Sequence, residues 1–366
     1  MMNAIRFPAA RLLVVFLALS TTLAAANDCW ASAPRYRVEE TGIIARKGCV
    51  RGMNDLGVAC YWSDFAVSGQ RGFVWDGEQN LLLEETPSHF AYPFDINNSG
   101  RVAGVIATLT RDIAAIWDNC VLQELGTLGG RESWALAVND NGLVAGVSEM
   151  SSGPVSLFLW DGTFHNQGPL PAYDDRVLGI NNHNQILGVG GGMMDGWTWE
   201  NGQYTSLPDL EGGHYSSPND INDGGLVVGM SYINQSEQVA ACWRDAEISA
   251  LSRPDWATGS NAYSVNELEQ IVGFCSSAEP SYREGCLWDD GDYYALSDCI
   301  ISDVDWQITR GFYTTDSGLI LAEAYAEGHG WQELMLTPIP EPSTLALLAM
   351  GAVGVLAYAW RKRKRA

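Results

Sequence analysis

Short apolar runs alternate with polar turns along nearly the whole chain. Around residue 140 the order is SWALAV, a polar Asn-Asp-Asn-Gly turn, LVAGVS, a polar gap, SLFLWDG and then TFHNQGPLP. Runs of about five residues bounded by Gly, Asn, Asp and Pro predict strands, not helices with a 3.6-residue apolar period. The Asn141-Gly142 step predicts a tight hairpin with positive φ at both central residues.

That segment is one copy of a repeat. MNDLGVACYW begins at Met53, INNSGRVAGV at Ile96, VNDNGLVAGV at Val138, INNHNQILGV at Ile180, INDGGLVVGM at Ile221, VNELEQIVGF at Val265 and TTDSGLILAE at Thr314. The anchors are Asn54, Asn97, Asn139, Asn181, Asn222, Asn266 and Thr315, at spacings of 43, 42, 42, 41, 44 and 49. A tryptophan follows six of them at a nearly constant phase: Trp75, Trp117, Trp160, Trp199, Trp243 and Trp288. Four short strands with their turns need about 40 residues, the period of a propeller blade. The expectation is an all-β, seven-bladed propeller of four-stranded blades over residues 27–338. Each blade is expected to pack its Trp and small residues such as Ala145 and Gly146 against the next blade. The last repeat has three strand runs, so residues 36–40 in RYRVEETG are expected to supply its fourth and close the ring.

The ends follow a different pattern. Arg6 and Arg11 precede LLVVFLALS and the small-residue stretch TTLAAAND, which predicts a signal peptide over 1–26 with Ala24 and Ala26 at the cleavage site. At the other end, Pro340-Glu341-Pro342 breaks regular structure, residues 343–360 carry no charge, and residues 361–365 are all basic. Eighteen uncharged residues reach the threshold for a transmembrane helix, and the basic block places the tail inside.

The tail, 339–366, resembles the PEP-CTERM sorting signal, with its Pro-Glu-Pro motif, apolar helix and Arg-rich end. The resemblance implies a Gram-negative source, recognition by an exosortase, transient anchoring through the C-terminus, a secreted or cell-surface location and a link to exopolysaccharide systems. LGTLGGRESWALAVNDNG (125–142) and LPDLEGGHYSSPNDINDGG (207–225) resemble the extracellular HAF repeat. The family's His-Ala-Phe segment is replaced here by Arg71-Gly72-Phe73 and Ser156-Leu157-Phe158. This second resemblance implies extracellular repeat architecture and no particular activity.

Charge narrows the partners. Lys plus Arg total 21 against 44 Asp plus Glu, a net −23, and seven of the basic residues lie in the two end segments. Such a body repels phosphate backbones, so nucleic acid is not an expected partner. Exosortase, the export machinery, exopolysaccharide and surface proteins are.

Candidate chemistry is sparse. The eight cysteines fit an oxidising compartment, and spacing predicts disulfides for Cys275 with Cys286 and for Cys49 with Cys60. Asp289–Asp292 and Ser302–Asp305 are candidate calcium ligands, although Asp-Gly after Trp also reads as a hairpin turn. The five histidines fall at different phases of the repeat, and no catalytic motif accompanies them. No cofactor and no catalytic residue is assigned. The expected function is therefore a non-enzymatic surface or matrix protein that binds glycan or protein. The alternative is a propeller glycoside hydrolase or lyase acting on exopolysaccharide, which acids converging at one mouth of the channel would favour.

Overall fold

A computed structural model describes residues 33–43, 50–65, 69–86, 90–108, 110–172, 175–190, 196–245, 247–278 and 282–340. The chain forms two compact units, Arg37–Thr337 and a smaller one made of the two ends. In the smaller unit the Ile339 N–H donates to the Arg35 carbonyl at 2.8 Å. Residues 1–26, Glu341, Pro342, the predicted helix 343–360 and the basic tail lie outside the described residues. Among those described, no helix is long and apolar enough to cross a membrane.

The larger unit is a seven-bladed β-propeller. Six four-stranded antiparallel sheets follow one another along the chain, and a seventh sheet has five strands. The innermost strands are Val50–Met53, Phe90–Ile96, Gly129–Val138, Arg176–Ile180, Ser216–Ile221, Gly259–Val265 and Gln307–Thr314. Second strands such as Val102–Ala107 and Val227–Tyr232 are buried almost throughout, because a neighbouring blade covers each face. Outermost strands such as Glu247–Ala250 face solvent. Each repeat Trp pairs with the first residue of its second strand, as in Val144↔Trp160 and Ile271↔Trp288. Leu336 takes that place opposite Ile320 in the seventh blade, which lacks the Trp. In the five-stranded sheet the order is Ile300–Ile301, Tyr36–Glu40, Gly330–Pro338, Ile320–Ala326, Gln307–Thr314. Just after the N-terminal strand, the Thr41 N–H and hydroxyl both donate to the Glu333 carbonyl, at 3.3 and 2.8 Å.

Two local expectations are corrected. The Asn139 turn is not a two-residue reversal. The Asn139 N–H reaches the Leu143 carbonyl, the Gly142 N–H returns to the Asn139 carbonyl, and only Gly142 has positive φ, at 78°. This is a three-residue loop, a tight turn followed by one left-handed residue. Gly146, for its part, makes room within its own blade. A Cβ there would lie 2.1 Å from the Trp134 carbonyl oxygen and 2.5 Å from the Phe158 ring, both in the same sheet.

Apolar clusters cross the blade boundaries, Ala145 and Leu157 packing with Val177 and Trp197 of the next blade, and the anchors add a polar link. Each anchor Asn side chain accepts N–H groups of its own turn, as when Asn139 Oδ1 accepts from Leu143 at 3.0 Å. Its amide donates to the backbone carbonyl of the next anchor: Asn54 to Asn97, Asn97 to Asn139, and so on to Asn266 and Thr315, all at 2.8–3.0 Å. Thr315 has no amide to pass on. Its hydroxyl accepts from Leu319 at 3.1 Å and pairs with Ser317.

Candidate functional site

The inner strands surround a central cavity of about 730 Å³ lined by residues of all seven blades. Every inner strand carries a bulge at the same repeat position, three residues before the anchor: Arg51, Phe94, Leu136, Leu178, Asn219, Tyr263 and Phe312. A bulge bends its strand and re-aims the extra side chain. All but Leu136 of these residues line the cavity.

One mouth of the channel is a ring of acids and amides. The residue after each anchor is Asp55, Asn98, Asp140, Asn182, Asp223, Glu267 or Asp316. Each backbone N–H donates to the side-chain oxygen of the next member, and the Asp316 N–H donates to Asp55 at 3.2 Å, completing the circle. The Asn98 amide bridges Asp55 and Asp140, both at 2.8 Å, and the Asn182 amide bridges Asp140 and Asp223. No amide intervenes along the arc Asp223, Glu267, Asp316, Asp55. There, burial and then the neighbouring carboxylates push Glu267 and Asp316 above their ordinary values.

Deeper in the channel Asp95 and Asp220 perform the same task on the bulged strands. Asp95 accepts the Ile96 N–H of its own blade at 2.8 Å and the Val138 N–H of the next at 2.9 Å. Asp220 accepts Ile221 at 2.8 Å and Val265 at 3.0 Å. Burial, with like charge from Asp220 and Asp140, pushes the Asp95 carboxyl up to about 7 despite its two N–H donors. Asp220 is raised too, again chiefly by burial.

The opposite mouth has the reverse character. Arg310, Phe312, Tyr263 and Arg51 line the channel there. Arg51 stacks on Trp62 at 5.6 Å and Arg310 over Phe312 at 5.9 Å. Around this end, where inner strands begin and second strands finish, Trp256 and Tyr282 pack edge to face at 5.1 Å while 38% and 48% exposed. His214, Tyr215 and Tyr232 form a second aromatic group at the same end of the fifth blade.

The residues singled out in the sequence behave differently. Cys275 and Cys286 are free thiols, so the disulfide expected between them is not formed. Although adjacent, each faces another residue across the ladder, Cys286 facing Gly273 and Cys275 facing Glu284. Cys60 is a free, buried thiol, and Cys49 lies outside the described residues. Asp289 and Asp292 pair across a two-residue turn in which Asp290 and Gly291 have φ of 49° and 84°. The Ser302 hydroxyl accepts the Val304 N–H at 3.1 Å. Among the described residues no group of His, Cys, Asp and Glu is arranged to hold a metal ion. His165 pairs with Asp161 and His329 with Glu40, on different blades. Pro340 is the last described residue of the sorting motif.

Neither channel mouth was located from the sequence, but one signal was there. The column after the anchor reads D, N, D, N, D, E, D, acid or amide in every repeat. The bulge column reads R, F, L, L, N, Y, F and carries no such signature.

Residues 338–364 match the PEP-CTERM protein-sorting motif. The motif implies export to the cell surface and processing by an exosortase. No curated protein has a sequence that matches this chain significantly. Among solved structures, TolB from Acinetobacter baumannii is 14% identical, with a TM-score of 0.45, over 65% of this chain and 63% of that one. A putative TolB from Agrobacterium tumefaciens is 13% identical, with a TM-score of 0.43, over 72% and 95%. An acylaminoacyl peptidase from Pyrococcus horikoshii is 11% identical, with a TM-score of 0.46, over 80% and 53%. This chain thus spans less than two thirds of the Acinetobacter protein and about half of the peptidase.

Proposed function

We propose that this protein is a non-enzymatic cell-surface or matrix propeller that binds a glycan or a protein partner. It is sorted by an exosortase and held at the membrane through its C-terminal segment before processing. The likeness of its repeats to the HAF repeat fits this extracellular setting. The observation that carries the reading is how the channel carboxylates are used. Five acids meet at one mouth, the arrangement an enzyme would need. Yet each ring carboxylate accepts a backbone N–H across a blade boundary, and Asp95 and Asp220 each accept two. A catalytic carboxyl needs an oxygen within reach of substrate. Each ring carboxylate commits one oxygen to the bond across the blade boundary, and the second oxygens of Asp55, Asp140 and Asp223 are taken by the Asn98 and Asn182 amides. The half-exposed aromatic side chains of the opposite end are the surface left for a partner.

The test is a glycan array combined with a hydrolysis screen on the purified body, residues 27–338. Binding without turnover is the expected result. Turnover of any polymer would overturn the reading in favour of a hydrolase or lyase, with Asp95 and Asp220 as the first residues to substitute.

Ring closure belongs to the same proposal. In this reading residues 36–40 act as the outer strand of the last blade and hold the two ends of the body together, which the strand order of that sheet supports. Deleting them is expected to lower the thermal midpoint by about 5–10 °C, a loss of a few kcal/mol for a domain of this size. An unchanged midpoint would show that the ring closes without them.

A further inference from the structure

The sixth and seventh blades meet at an unusual cluster at the aromatic mouth. Arg283 begins the third strand of blade six, and Arg310 lies near the start of the inner strand of blade seven. Each guanidinium rests on an aromatic ring, Arg283 over Phe274 at 4.3 Å and Arg310 over Phe312 at 5.9 Å. Tyr263 sits between those rings, with centroids 5.5 Å from Phe274 and 6.1 Å from Phe312. Stacking occupies the faces of a guanidinium and leaves its edge N–H donors available.

Those donors are poorly used. Among the described residues the Arg283 guanidinium makes no hydrogen bond or ion pair, its backbone alone pairing with Ser276 in the ladder. The Arg310 Nε is buried without a hydrogen-bond partner. The nearest carboxylate, Glu323, stands 3.7 Å from Arg310 Nη1, and its Oε1 accepts the Thr309 hydroxyl at 2.7 Å. The two cations are close enough that Arg283 is held below the usual guanidinium range, by burial first and then by Arg310. In a chain of net charge −23, two adjacent arginines share one paired carboxylate, Glu323, which leaves the pair with an excess positive charge. Arg310, Tyr263 and Phe312 border the 730 Å³ cavity, and Arg283 beside them is half-buried.

We propose that Arg283 and Arg310, with Tyr263 and Phe312 beside them, seat the carboxylate or sulfate of an acidic sugar. The edge N–H groups of a guanidinium match the two oxygens of such an anion, and an adjacent aromatic ring packs the apolar face of the sugar. This inference rests on the glycan-binding reading and sharpens it by naming the class of glycan.

The experiment is calorimetric titration of the full chain in mild detergent with three probes: an oligogalacturonate, its fully methyl-esterified neutral counterpart, and inorganic sulfate. The acidic oligomer is expected to bind about tenfold or more tighter than either of the others. Arg283→Gln and Arg310→Gln should each weaken it by about tenfold, with partial recovery in Arg310→Lys. Equal binding of acidic and neutral oligomers, or unchanged binding in both Gln variants, overturns the site and leaves the glycan-binding reading standing. Sulfate binding as tightly as the oligomer overturns the assignment to a sugar. Absence of binding to both oligomers sinks the site and counts against the parent reading. If Arg310→Gln does not fold, Arg283→Gln and Arg310→Lys decide the matter.

Discussion

Replacing Asn139 with Asp is expected to destabilise the propeller by about 2–5 kcal/mol at neutral pH, more than replacement with Ala does. Asn139 is 4% exposed and uses both ends of its amide. Its oxygen accepts the Leu143 N–H, and its nitrogen donates to the Asn181 carbonyl and to Asn184 Oδ1, both at 3.0 Å. Ala removes these bonds and leaves a buried donor and acceptor unmatched. Asp keeps the first bond but sets a carboxylate oxygen against two other oxygens. That carboxyl would titrate above its ordinary value in the folded state. The deficit of Asn139→Asp should therefore grow as pH rises from about 4 and shrink on acidification. Urea unfolding of the two variants at pH 4 and 7.5 checks this. An Asp variant as stable as the parent at pH 7.5 would remove the anchor amides from the list of forces joining the blades.

The propeller as a whole is expected to lose stability as pH rises between about 4 and 7. Asp95, Asp220, Glu267 and Asp316 all have folded-state values above their ordinary ones, and Asp95 reaches about 7. The folded state then binds more protons than the unfolded chain across that window, so the slope of stability against pH is negative there. Asp95 alone contributes on the order of 2–4 kcal/mol across its window. The carboxylates held below their ordinary values, Asp76, Asp161 and Glu237, act in the opposite sense, but only below about pH 4. Thermal midpoints should therefore be higher at pH 5 than at pH 8. Asp95→Asn should flatten the dependence while lowering stability throughout, since an amide offers one acceptor to two N–H groups. A midpoint that climbs from pH 5 to 8, or an undiminished slope in Asp95→Asn, would contradict the assignment.

How the blades hold together was only half legible. The Asn-turn-Gly and Trp columns identify equivalent residues, and equivalence predicts blade number and strand order. Asn139 could be read as closing its own turn, because its partner Leu143 is four residues away. Its other partner, Asn181, is 42 residues away, and nothing local in either segment announces the bond. Gly146 shows the same limit. A small residue in a buried strand signals close approach, but whether of the next blade or of its own inner strand depends on where that strand runs. The cross-hairpin cysteines failed for a related reason. The spacing of 275 and 286 places them on paired strands without fixing the register, which sets each against a different residue.

The sequence by itself determined the parts that depend on local chemistry and on counting: short strands, seven repeats, turn positions, and a sorting motif read directly from residue order. Only the tertiary structure decided which columns of the repeat face the axis. Every inner strand carries a bulge, and one extra residue exchanges the inward and outward faces of a strand whose side-chain period is two. The bulge has no residue signature, its seven positions being Arg, Phe, Leu, Leu, Asn, Tyr and Phe. Residues about 42 apart become neighbours only because the ring brings successive inner strands side by side. That convergence closes the acid and amide ring at one mouth, while the packing of blade six's third strand on blade seven's inner strand sets Arg283 beside Arg310 at the other.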